Sequence, residues 1–161
     1  MNQKHFLVVA DWRIDARAIV AACMRRNEVQ ESEFRVVVPA RLHGLDWAGD
    51  PYASVPCARA QMERIDALAR AGGLSLRGAV GDPDVLSAIS DAAPGPPADE
   101  LLLFSPPRRL PFTHPLDLAH RARRLTGMPV KRIEVPIVAV SQARLAPMRF
   151  RPGHCIAGEA T

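Results

Sequence analysis

The side chains best suited to chemistry in this chain stand at the ends of apolar runs. Asp11 follows HFLVVA, Val38 and Ala40 close FRVVVPA, Gly81 and Asp82 follow Leu74–Val80, and Ser105 ends the run Leu101–Phe104. Arg108 and Arg109 come just after Ser105-Pro106-Pro107. A carboxylate such as Asp11 serves either a ligand or the backbone N–H groups and arginines near it. Two adjacent guanidiniums ahead of a helix start can hold a small anion through bidentate contacts and the field of the helix. Catalysis asks for more: a nucleophile beside a base, or paired carboxylates. Ser105 with His114 is the nearest approach to that pattern, and the sequence places no acid to orient the imidazole. Asp82 and Asp84 stand close together, but at a helix start carboxylates cap and complement the dipole. His43, Asp46 and Asp50 match no established metal-ligand spacing, so no metal is expected. The reading is a binding or regulatory role rather than turnover, with a small hydrolase-type enzyme as the weakest alternative.

Composition narrows the partners. The 161 residues carry a net charge of +4, with lysine only at Lys4 and Lys131 and arginine supplying the rest. Net charge of this size bears on solubility and non-specific contacts rather than on fold. No nucleic-acid motif is present, and no aromatic residues interleave with the basic ones, so specific nucleic-acid binding is not expected. Cys23, Cys57 and Cys155 are odd in number and widely spaced, which argues against a disulfide framework or a zinc site. No apolar run approaches the roughly 18 residues that span a bilayer, so a cytoplasmic protein without membrane association is expected.

These residues need a scaffold, and the periodicities supply one. His5–Ala10 reads as a buried strand, Ile14 to about Arg26 as an amphipathic helix, and Phe34–Ala40 as a second strand. Arg41–Ser54 has no period, and Trp47 and Tyr52 suggest a loop that covers something. Pro56–Ala71 is helical and stops at Gly72-Gly73; Leu74–Val80 is the third strand. Next comes a turn at Gly81, with Asp82 as the expected cap and Pro83 at the first helical position, and Val85, Leu86, Ile89 and Ala92 on one face. Leu101–Phe104 has no polar alternation, which requires cover on both faces and a place inside the sheet. Thr113-His114-Pro115 opens a fourth helix with an apolar stripe of Leu118, Ala122 and Leu125, ended by Gly127. Val130–Val135 alternates as an edge strand does, with Ile137–Val140 as a resumption after Pro136. The expected architecture is a Rossmann-like, doubly wound three-layer α/β/α sandwich over residues 1–136, its five mainly parallel strands in the order 3-2-1-4-5. Residues 137–161 form a strand extension and an irregular tail. Ligands of such sheets bind at the carboxyl ends of the strands.

From His5 to Val135 the chain resembles the universal stress protein family. The resemblance rests on VVAD at Asp11, the Gly81-Asp82-Pro83 turn, the strand Ala98–Phe104 and Gly127-Met128-Pro129-Val130. It implies the sandwich fold, a homodimer joined through the last strand (Val130–Val135), and a ligand site at Asp11, with ATP or another nucleotide as the ligand in some members. ATP-binding members carry Gly-x2-Gly-x9-Gly-Ser/Thr after the fourth strand, where backbone N–H groups cradle phosphates. This chain has no glycine between Gly95 and Gly127, and Pro106 and Pro107 donate no N–H. Tight ATP binding is therefore not expected, no cofactor is assigned, and the alternatives are a small anionic ligand held by Asp11, Arg108 and Arg109, or a protein partner.

Overall fold

The computed structural model describes residues 3–43, 50, 52–95, 97–107 and 117–137. Five strands, β1 (Lys4–Ala10), β2 (Ser32–Pro39), β3 (Leu76–Gly81), β4 (Glu100–Ser105) and β5 (Val130–Glu134), alternate with four helices. The helices are α1 (Ala16–Val29), α2 (Val55–Ala71), α3 (Val85–Ala92) and α4 (Leu118–Thr126). All four strand pairings are parallel, in the order β3-β2-β1-β4-β5. This is the sandwich and the strand order read from the sequence.

Alternation along the strands assigns the two faces. Phe6, Val8 and Ala10 of β1, Phe34, Val36 and Val38 of β2, and Leu102 and Phe104 of β4 point toward α1 and α2. Leu7, Val9, Val37, Leu101 and Leu103 point the other way, toward Ala88 and Ile89 of α3 and Ala122 of α4. Phe6 and Phe34 stack with ring centroids 5.3 Å apart, which pins the register of β1 against β2. Leu101–Phe104 is buried on both faces between β1 and β5, as its unbroken apolar run required.

Local chemistry sets the helix ends, in places not where the sequence put them. Ile14 lies outside α1, and Asp15 caps that helix by accepting a hydrogen bond from the Arg17 N–H. Asp84, not Asp82, caps α3: it accepts from the Ser87 N–H at 2.9 Å, while Asp82 accepts from the Asp84 N–H at 2.7 Å. The turn simply runs two residues longer than the Asp-Pro pair suggests. Bonding from the Ser87 N–H holds the Asp84 carboxyl below its ordinary value, and the Ser87 hydroxyl and Arg121 add to this. The fourth helix begins after Asp117; the expected start at Thr113–Pro115 lies outside the described residues. Leu125, expected on its apolar stripe, is 51% exposed, because Ala122 and the half-buried Leu118 fill the contact with the sheet. Gly127 ends α4 in the left-handed region at φ 70°, which a side chain would strain.

After β5 the chain leaves the edge. The Val135 N–H donates to the Ser105 carbonyl at 3.0 Å, and Ile137 forms an isolated antiparallel bridge with Ile14. Ile137 therefore crosses toward the exit of β1 and does not resume the strand; residues 138–140 lie outside the described residues. Cys23 is a free buried thiol whose pKa is pushed up to about 12 by burial, against the nearby charges of Arg26 and Arg25. Among the described residues no helix is long and apolar enough to cross a membrane.

Candidate functional site

The sheet order reverses between β1 and β4, since the chain runs outward from β1 through β2 to β3 and then returns to the other side. At such a switch point the flanking loops diverge and leave a crevice beyond the carboxyl ends of the strands. A cleft of about 40 Å³ lies there, lined by Asp11, Pro39, Arg41, Ser105, Pro106 and apolar residues of β1, β4, α3 and α4. That volume is far below the roughly 300 Å³ at which small-molecule pockets begin.

Asp11 is the most constrained group beside it. Its Oδ1 accepts from the Arg13 N–H at 3.0 Å and from Arg13 Nε at 3.2 Å, and its Oδ2 lies 2.9 Å from His43 Nε2. Trp12 completes the arrangement by donating from Nε1 to the Arg41 carbonyl at 2.9 Å and meeting the His43 ring edge-on at 5.5 Å. Burial pushes the Asp11 carboxyl up, but the close contact with His43, the Arg13 N–H, the His43 charge and the Arg13 side chain outweigh it. The net result is a pKa lowered from 3.8 to about 2. Asp11 thus ties the exit of β1 to the segment that follows β2. His43 Nε2 faces this carboxylate as an ion-pair contact without hydrogen-bond geometry, and among the described residues no group of three His, Cys, Asp or Glu side chains could hold a metal ion; Asp46 lies outside them.

Ser105 differs from Asp11 in being unsatisfied. Its Oγ is buried and has no hydrogen-bond partner among the described residues, although it lines the cleft. A buried hydroxyl without a partner gives up solvation for nothing, which marks it as a place where a ligand or water hydrogen-bonds. Arg132 of β5 frames the connection from β4 to α4: one guanidinium nitrogen lies 3.3 Å from Asp117 Oδ1 and another 3.5 Å from the Pro106 carbonyl.

The other residues singled out from the sequence fall in three places. Val38 and Ala40 are fully buried on the α1 and α2 side, and it is Pro39 between them that lines the cleft. Gly81 accepts at its carbonyl from the Ala40 N–H at 3.1 Å and lies under α3; a Cβ there would come within 2.7 Å of both Ala88 Cβ and Val37 Cγ1. Asp82 is exposed in the turn before α3. Arg108, Arg109 and His114 lie outside the described residues, as does Trp47, while Tyr52 is 67% exposed and covers nothing described. Three participants escaped the sequence reading: Arg13, His43 as the partner of Asp11, and Arg41. The first had a local signal, since an aspartate often accepts from the N–H two residues on. The other two meet β1 only through the parallel pairing of β1 with β2, which no short-range pattern encodes.

No family model and no curated protein matches the chain. Among solved structures it is similar to a universal stress protein crystallised in complex with cAMP, with a TM-score of 0.56 and 13% identity. The match covers 82% of this chain and 97% of that one. A likeness at that identity supports the fold: a five-stranded parallel sheet in the order 3-2-1-4-5 with helices on both faces.

Proposed function

We propose that the protein is a non-enzymatic, ligand-responsive regulatory domain of the universal stress protein type, working as a homodimer through β5 and not gripping ATP tightly. The observation that carries this reading is the cleft at the β1–β4 switch point: it offers one buried hydroxyl in want of a partner, Ser105, beside a carboxylate already committed to Arg13 and His43. Such a site suits a small hydroxyl-bearing ligand. It does not suit a triphosphate, because Pro106 has no N–H to offer at the place where β4 opens into the cleft. At about 40 Å³ the cleft must also widen to admit a ligand, which costs affinity. The second reading is a nucleotide- or anion-binding protein that uses Asp11 with Arg108 and Arg109, and it is favoured by the cAMP bound to the structural neighbour. A thermal-shift screen with adenosine, AMP, cAMP, ATP and inorganic phosphate separates the readings, since a ligand that binds only the folded state raises the midpoint. A rise with adenosine or the mononucleotides that ATP does not exceed, and that persists when Arg108 and Arg109 are both replaced by alanine, supports the first. A much larger rise with ATP favours the second, and no rise with any of them refutes ligand binding at this cleft.

A further inference from the structure

We infer that Arg41 is the residue that selects the charge of the ligand, so that the cleft prefers a singly phosphorylated, hydroxyl-bearing molecule to its neutral parent. This rests on the reading of the cleft as a ligand site and adds the class of ligand. Three observations lead to it. Arg41 lines the cleft at the end of β2, it is exposed, and no ion pair engages it among the described residues. The carboxylate that would otherwise neutralise it, Asp11, is turned to Arg13 Nε at 3.2 Å and His43 Nε2 at 2.9 Å. Among the described residues that line the cleft, Arg41 therefore carries the one cationic group without an ion pair, since Asp11 is turned to Arg13 and His43.

The backbone of Arg41 is itself held in place. Its carbonyl accepts the Trp12 indole N–H, and the Ala40 N–H just before it donates to Gly81. The guanidinium therefore projects from a fixed point, and a planar fork of donors matches two oxygens of a phosphate monoester or diester. Ser105 Oγ supplies the neutral contact on the β4 side of the same cleft. One phosphate suffices for this geometry, and further phosphates would find no second free cation among the described lining residues.

AMP and adenosine differ only in the phosphate, so their calorimetric affinities for the wild type and for Arg41→Ala isolate the contact. The expected result is a loss of tenfold or more in AMP affinity in the variant, an unchanged adenosine affinity, and partial recovery of AMP binding in Arg41→Lys. The unfolding midpoint of Arg41→Ala should match the wild type, because the side chain is exposed. An unchanged AMP affinity in Arg41→Ala overturns the inference, and so does an equal loss for both ligands, which would mark a shape effect. If the wild type binds neither molecule, the ligand reading of the cleft fails first, and the inference falls with it.

Discussion

Replacing Asp11 with asparagine keeps the shape of the side chain and removes its charge. In the folded protein Asp11 is only 11% exposed, and its pKa is lowered from 3.8 to about 2 by His43 and Arg13 against the opposing effect of burial. A shift of that size corresponds to about 2 kcal/mol of stability at neutral pH, at about 1.4 kcal/mol per unit. Because the folded pKa is the depressed one, this contribution is complete above about pH 5 and is lost as pH falls toward 2; at pH 3 about half remains. For a chain of this length the neutral-pH effect is a fall of about 4–8 °C in the unfolding midpoint. Thermal unfolding of wild type and Asp11→Asn at pH 7, 4 and 3 tests this directly. The expected gap is full at pH 7, slightly reduced at pH 4 and roughly halved at pH 3. A midpoint unchanged at pH 7 would refute the structural role of the carboxylate, and a gap independent of pH would show that its charge is not the cause.

Two further substitutions and one measurement follow from the packing. Gly81→Ala would set a methyl 2.7 Å from Ala88 Cβ and Val37 Cγ1, two short groups on α3 and β2 that cannot swing aside. It should cost about 1–3 kcal/mol in a denaturant titration, whereas Gly78→Ala meets only the flexible Met62 side chain and should cost less. Ile133 is half-buried and packs against the core on the α1 side, so Ile133→Lys should lower the unfolding midpoint. On the homodimer reading, sedimentation of the wild type at micromolar concentration should give a dimer, because β5 ends the sheet and an unprotected edge recruits a second strand. A monomer would exclude that assembly.

The sheet was readable because its signals are local and redundant. Leu101–Phe104 announces a strand covered on both faces by lacking any polar residue, and Val130–Val135 announces an edge by alternating. The two-residue shift of the α3 cap is a different matter: Asp82 and Asp84 are equally good capping residues, and only the path of the turn decides between them. Leu125 was misplaced because helical spacing gives a stripe without its width, and the short helix α4 uses only the narrow part around Ala122. Of the site, Asp11 and Ser105 were legible as polar residues ending buried strands. His43 was legible only as an imidazole in search of partners. Its pairing with Asp11 arises because β1 and β2 lie side by side and parallel, which brings the residues after both strands to the same end of the sheet.

On the proposed reading, the cleft between β1 and β4 accepts a mononucleotide-sized ligand, and its described residues offer a triphosphate no further grip. Calorimetric titration of the wild type with AMP and with ATP tests it most directly, since the two share base, sugar and first phosphate. Saturable binding of AMP and an ATP affinity no tighter than that of AMP are expected. An ATP affinity tenfold or more above that of AMP would contradict it, because the added phosphates would then have donors that the described lining residues, with Pro106 and Arg41, do not provide.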